Sequence, residues 1–107
     1  MNFNKNKSRT IFTEIDTDTP GRTTVYDNDT EAFVSGVYFV NPSNSARVRL
    51  EVSNNGNTVE FLPSSEDGNN IRSGSDIVLG EPDKLLLNVT KSGSSGTSDC
   101  VVFVTES

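Results

Sequence analysis

Fifteen Asp and Glu side chains, one cysteine and no histidine are what this 107-residue chain offers for chemistry. Two carboxylates converging in a cleft can serve as general acid and base, and a thiol beside a base can act as a nucleophile. Without histidine, the commonest general base, the usual triad base and the commonest metal ligand are lost together. Cys100 stands among Val101, Val102 and Phe103, a setting that suits a small core residue rather than a reactive thiol. No motif selects a pair from the fifteen acids, so a minimal hydrolase would rest on two carboxylates meeting in space. The residues therefore predict no catalytic site, no cofactor and no metal, and the chain is expected not to be an enzyme.

Two segments are rich in oxygen ligands, Asp27-Asn28-Asp29-Thr30-Glu31 and Glu66-Asp67-Gly68-Asn69-Asn70. Neither follows the spacing of a calcium loop with its closing Glu, and both read more simply as hydrophilic turns. Three glycosylation sequons, at Asn6, Asn28 and Asn88, are what chance supplies in a chain so rich in Asn, Ser and Thr. Sugar binding on a β-sandwich generally uses exposed aromatic platforms. There is no Trp, and Tyr26 and Tyr38 lie inside strand patterns.

The elements that would position any site are strands. In Ala46 to Val52, Val48, Leu50 and Val52 fall on one face while Arg47, Arg49 and Glu51 fall on the other. Period-2 alternation of this kind marks a strand with one dry and one wet face. Together with Thr30 to Val40 it forms a hairpin-like pair around Asn41-Pro42-Ser43-Asn44-Ser45. Within Thr30 to Val40 the alternation slips at Gly36, which predicts a β-bulge. Further strands are expected over Thr10 to Asp16, Thr23 to Tyr26, Thr58 to Leu62, Ser75 to Leu79, Lys84 to Thr90 and Cys100 to Thr105. Asn55-Gly56 is the strongest turn signal, since both residues tolerate positive φ. About eight strands at this spacing, with no helical period, predict an all-β antiparallel sandwich with jelly-roll-like or Ig-like connections.

One domain is all that this length accommodates. An apolar share of 32% falls below the usual range, so further burial through association with copies of itself or with a partner is expected. Lys5, Lys7 and Arg9 make residues 1–10 a basic N-terminal arm, leaving six cations against fifteen acids, a net −9, over residues 11–107. An acidic body argues against nucleic-acid binding. No apolar run is long enough for a membrane span, and no apolar stretch after Met1 resembles a signal peptide. The arm reads either as a solvated tail with three ordinary cations or as a docking segment, in which Phe3, Lys5, Lys7 and Arg9 are expected to meet a neighbouring subunit. Phe33, Tyr38, Val40, Leu86, Val101 and Phe103 occupy the strand face opposite the assigned core. Either those strands are buried on both sides, or the residues line an exposed strip of the kind that meets other protein chains, or the assignment is off by one after the bulge. Phe33, Tyr38 and Phe103 are the interaction residues taken from that set.

The order of elements from Thr24 onward resembles a family of small β-sandwich structural proteins encoded by tailed viruses of bacteria and archaea. The stretches that carry it are Thr30-x-Ala32-x-Val34-x-Gly36-Val37-Tyr38-Phe39-Val40-Asn41, the alternating Arg47 to Val52, and Ile77-Val78-Leu79-Gly80. The run Leu85-Leu86-Leu87-x-Val89 and the valine-rich closing strand complete it. The resemblance implies a non-enzymatic virion component: a capsid decoration or neck or tail accessory protein. Its implied partners are copies of itself, as a trimer or pentamer, and the major capsid or neck and tail proteins. The second reading is a tail- or surface-associated adhesin that binds host glycan or receptor through loops 63–70 and 91–98.

Overall fold

The computed structural model describes residues 7–27, 30–43, 45–60, 70–73, 77–80, 83–93 and 96–106. Among them the chain forms nine strands and no helix of more than a single turn. These are β1 (Ser8–Asp16), β2 (Gly21–Asp27), β3 (Ala32–Phe39), β4 (Arg47–Asn54), β5 (Asn57–Glu60), β6 (Ile71–Ser73), β7 (Ile77–Leu79), β8 (Asp83–Lys91) and β9 (Thr97–Glu106). Ser8, Arg9 and Thr10, part of the arm in the sequence reading, are the first rungs of β1 and pair with Thr105, Val104 and Phe103.

Two antiparallel sheets face each other. Sheet A has the order β1-β9-β3, with β6 and β7 both on the far side of β3; sheet B has the order β2-β8-β4-β5. The pairings nest: β1 with β9, β2 with β8, β3 with β6 and β7, β4 with β5. One long antiparallel ribbon with its bend at Asn55-Gly56 has been rolled up, which is jelly-roll connectivity. Asn55 at φ 51° and Gly56 at φ 87° form the bend, with the positive φ values that a two-residue hairpin turn needs.

The alternation sorts residues as a sandwich requires. Val34, Val37, Phe39, Val102 and Val104 of sheet A meet Val48, Leu50, Leu85, Leu87 and Val89 of sheet B across a dry core. Burying an aliphatic side chain of this size stabilises by about 1.5–3 kcal/mol. Irregularities have local causes. The register shifts between Val34 and Gly36, the bulge that the sequence reading places at Gly36. On the side of β3 away from β9, β7 pairs with Ala32–Val34 and β6 with Val37–Phe39. A second bulge between Thr24 and Tyr26 turns both Val25 and Tyr26 into the interior, at 2% and 3% exposure.

The expected pairing of Thr30–Val40 with Ala46–Val52 as neighbours is corrected: β3 belongs to sheet A and β4 to sheet B. The chain crosses the sandwich at Asn41–Ala46. Asn41 Nδ2 donates to the Ala46 carbonyl at 3.1 Å, and the Ser43 amide donates to Asn41 Oδ1 at 3.0 Å. Ser43 and Ala46 are buried at this corner. Gly93 and Gly96 pack beside it: Gly93 N–H donates to the Thr17 carbonyl, and the Thr17 amide and hydroxyl both donate to the Gly96 carbonyl at 3.0–3.1 Å. Loop 63–70 lies outside the described residues except for Asn70.

Candidate functional site: an apolar outer sheet face

Antiparallel partners share a face, so the register lays out the outer surface of sheet A row by row. Phe12, Val101, Tyr38 and Arg72 form one row across four strands. Beside it run Thr10, Phe103 and Gly36, then Ser8, Thr105, Phe33 and Val78. On the other side lie Glu14 and Asp99, opposite each other on β1 and β9. Phe12 and Val40 are 65% exposed, Val78 is 56%, Phe103 39% and Tyr38 36%; Phe33 and Val101 are half-buried between them. A contiguous apolar strip of this kind usually marks a contact with another protein chain.

Tyr38 and Phe103 anchor the strip, with ring centroids 5.7 Å apart at an interplanar angle of 74°. The Tyr38 ring folds back over Gly36, where an added Cβ would sit 2.7 Å from Cε2. An aromatic ring covering a strand glycine restores the packing that glycine lacks. Two open depressions flank the pair: ≈ 280 Å³ lined by Tyr38, Val40, Ile71 and Arg72 among others, and ≈ 260 Å³ lined by Thr10, Ser35 and Phe103 among others. Neither is an enclosed cavity; both open to solvent.

The outer face of sheet B is built differently. Arg22 Nε meets Glu51 Oε1 at 2.6 Å, and Asn88 Nδ2 donates to Glu51 Oε2 at 3.1 Å. Arg49 and Glu60 lie 3.8 Å apart, and Lys84 and Asp27 3.6 Å. Leu86, grouped in the sequence reading with the misfaced apolar residues, belongs to this face. It is opposite Glu51 and Thr24 and only 8% exposed, so it takes no part in the strip. The two faces thus differ: sheet B shows ion pairs, while sheet A shows an apolar strip with Arg72 at one side and Glu14 and Asp99 at the other.

Of the arm residues, Phe3 and Lys5 lie outside the described residues. Lys7 is exposed just before β1. Arg9 engages its own chain: its Nη2 meets Glu106 Oε2 at 2.6 Å, and Tyr26 Oη donates to the same oxygen at 2.7 Å. Glu106 thereby ties β1 and β9 of sheet A to β2 of sheet B. Desolvation pushes its carboxyl up, but hydrogen bonds from Arg9 and Tyr26 and the charges of Arg9 and Lys7 outweigh it and hold the pKa below its ordinary value. Cys100 is buried in the core, and desolvation pushes its thiol up to about 12, which keeps it protonated at neutral pH.

Sequence reasoning brings Phe33, Tyr38 and Phe103 onto one face, and the structure places them there. It passed over Phe12 and Val78 as members of the strip. Their signal was present in the alternation, since Phe12 opposes Ile11 and Thr13, and Val78 stands between the inward Ile77 and Leu79.

No family model matches the chain, and no curated protein matches it by sequence. Among solved structures it is similar to the nucleoplasmin-like N-terminal domain of Drosophila FKBP39, with TM-score 0.48 and 8% identity over 92% of this chain and 90% of that one. It is also similar to a pentameric capsid protein isolated from metagenomic phage sequences, with TM-score 0.46 and 15% identity. That match covers 91% of this chain, which spans 61% of the length of the capsid protein.

Proposed function

We propose that this chain is a non-enzymatic structural component of a virion, one that self-associates through the outer face of sheet A and decorates a capsid shell. The observation that carries the self-association is the exposed apolar strip of Phe12, Tyr38, Val40, Val78 and Phe103, set against the ion-paired face of sheet B. Removing such a strip from water favours association in proportion to the area covered. The virion role rests on the sequence resemblance carried by Thr30 to Asn41 and Arg47 to Val52.

Light scattering over a concentration series tests the first part. The mass should exceed that of one chain, and Phe12→Ser with Phe103→Ser should return it to a monomer with an unchanged circular dichroism spectrum. A wild-type chain that stays monomeric at the highest concentration removes the self-association. Co-sedimentation with purified capsid shells of the encoding virus tests the second part, and a chain left wholly in the supernatant removes the shell role.

A further inference from the structure

We infer that the partner on the outer face of sheet A is the same face of a second copy, stacked sheet to sheet about a two-fold axis that runs along the strands. This rests on the self-association proposed above and specifies its geometry. Sheets stack face to face about 10 Å apart, and a two-fold contact sets one surface against itself. The charges select the axis. Arg72 is exposed on β6, at one edge of the face, in the row of Phe12, Val101 and Tyr38. Glu14 and Asp99 are exposed at the opposite side, one row along.

A two-fold axis along the strands lays the β1 side of each copy over the β6 side of the other and keeps the rows in step. Arg72 of each copy then faces the partner's Glu14 across the interface with an offset of one row, about 7 Å along the strands, a gap that long side chains span, and each interface holds this pair twice. Between them Val101 faces Tyr38, and Phe103 faces the level of Gly36. An axis across the strands lays β1 on β1 and leaves Arg72 far from either acid. Opposite charges brought together at an interface rim set orientation and register more than they add raw affinity. A two-fold pairing also requires an even number of copies. The trimer or pentamer implied by the sequence resemblance would then occur only as two stacked rings.

Sedimentation equilibrium at low ionic strength on two single variants tests this geometry. In Arg72→Glu and in Glu14→Arg every homotypic contact sets like charges against each other, so each variant should associate about tenfold or more weakly than wild type. Their equimolar mixture holds two attractive pairs per contact and should regain wild-type affinity to within about threefold. A mixture no tighter than its parts, an unaffected single variant, or an odd-numbered assembly of one ring overturns the two-fold geometry while leaving self-association standing. A monomeric wild type overturns both.

Discussion

The Tyr38 ring lies edge-on to Phe103, its centroid 5.7 Å away, and covers the backbone of Gly36 directly across from Phe103. The bulge, the glycine and the aromatic pair therefore form one unit. Because β3 is bulged between Val34 and Gly36, Val37 and Phe39 point inward while Tyr38 points outward. A side chain at position 36 would lie beneath the Tyr38 ring.

Gly36→Ala should therefore lift the Tyr38 ring, because the new Cβ would meet Cε2 at 2.7 Å. The edge contact with Phe103 is worth about 0.5–1.5 kcal/mol, while replacing a strand glycine by alanine returns about 0.5–1 kcal/mol. These nearly cancel. Urea unfolding should change by less than about 1 kcal/mol, whereas the Tyr38 ring resonances should shift clearly. Unshifted resonances would show that the ring does not rest on Gly36.

Gly93→Ala should behave very differently. Its Cβ would sit 2.6 Å from the Ala46 amide nitrogen and collide with the Ser43 hydroxyl oxygen, at the corner where the chain passes from sheet A to sheet B. Backbone there cannot swing aside as a tyrosine ring can, and Gly93 also donates to the Thr17 carbonyl. A loss of about 3 kcal/mol or more is expected, at the upper end for overpacking. Differential scanning calorimetry on the two glycine variants compares them directly, and equal melting temperatures would contradict the packing described.

The Cys100 thiol should be inert in the native protein. It lies in the dry core with its pKa pushed up to about 12, so both thiolate and access are lacking. Reaction with a thiol-specific disulfide reagent should proceed at the rate of unfolding and become immediate in denaturant. Labelling of the folded chain as fast as free cysteine would place the residue elsewhere.

How much of this was legible beforehand depends on what alternation reports. It assigned Val48, Leu50, Leu85 and Leu87 to the dry side because a sheet residue has only two faces to choose from. It located the turn at Asn55-Gly56 and the bulge at Gly36 because glycine marks special backbone. Alternation does not report which sheet a strand joins. Strands packed face to face across a core show the same pattern as strands lying side by side, so β3 and β4 read as a hairpin when they lie on opposite layers. Alternation leaves the burial of Leu86 open for a related reason. It points outward from sheet B, yet it lies in the middle of that sheet and is buried beside Glu51, a cover that depends on neighbouring strands. The pairing of Glu106 with Tyr26, 80 residues apart, has no local signature at all.

That last contact carries a pH dependence whose sign follows from its direction. Glu106 titrates below its ordinary value of 4.5 when folded, since bonds from Arg9 and Tyr26 outweigh desolvation. A carboxyl depressed by folding contributes its full stability above the unfolded value, and the contribution fades as pH falls through the folded one. Acidification below about 4.5 should thus weaken the tie between the sheets. Tyr26→Phe should cost about 1 kcal/mol at neutral pH and flatten the decline of stability between about pH 5 and 3. Glu106→Gln should remove this group's share of the decline altogether. Parallel stability-against-pH curves for wild type, Tyr26→Phe and Glu106→Gln would mean that the carboxylate does not hold the two layers together.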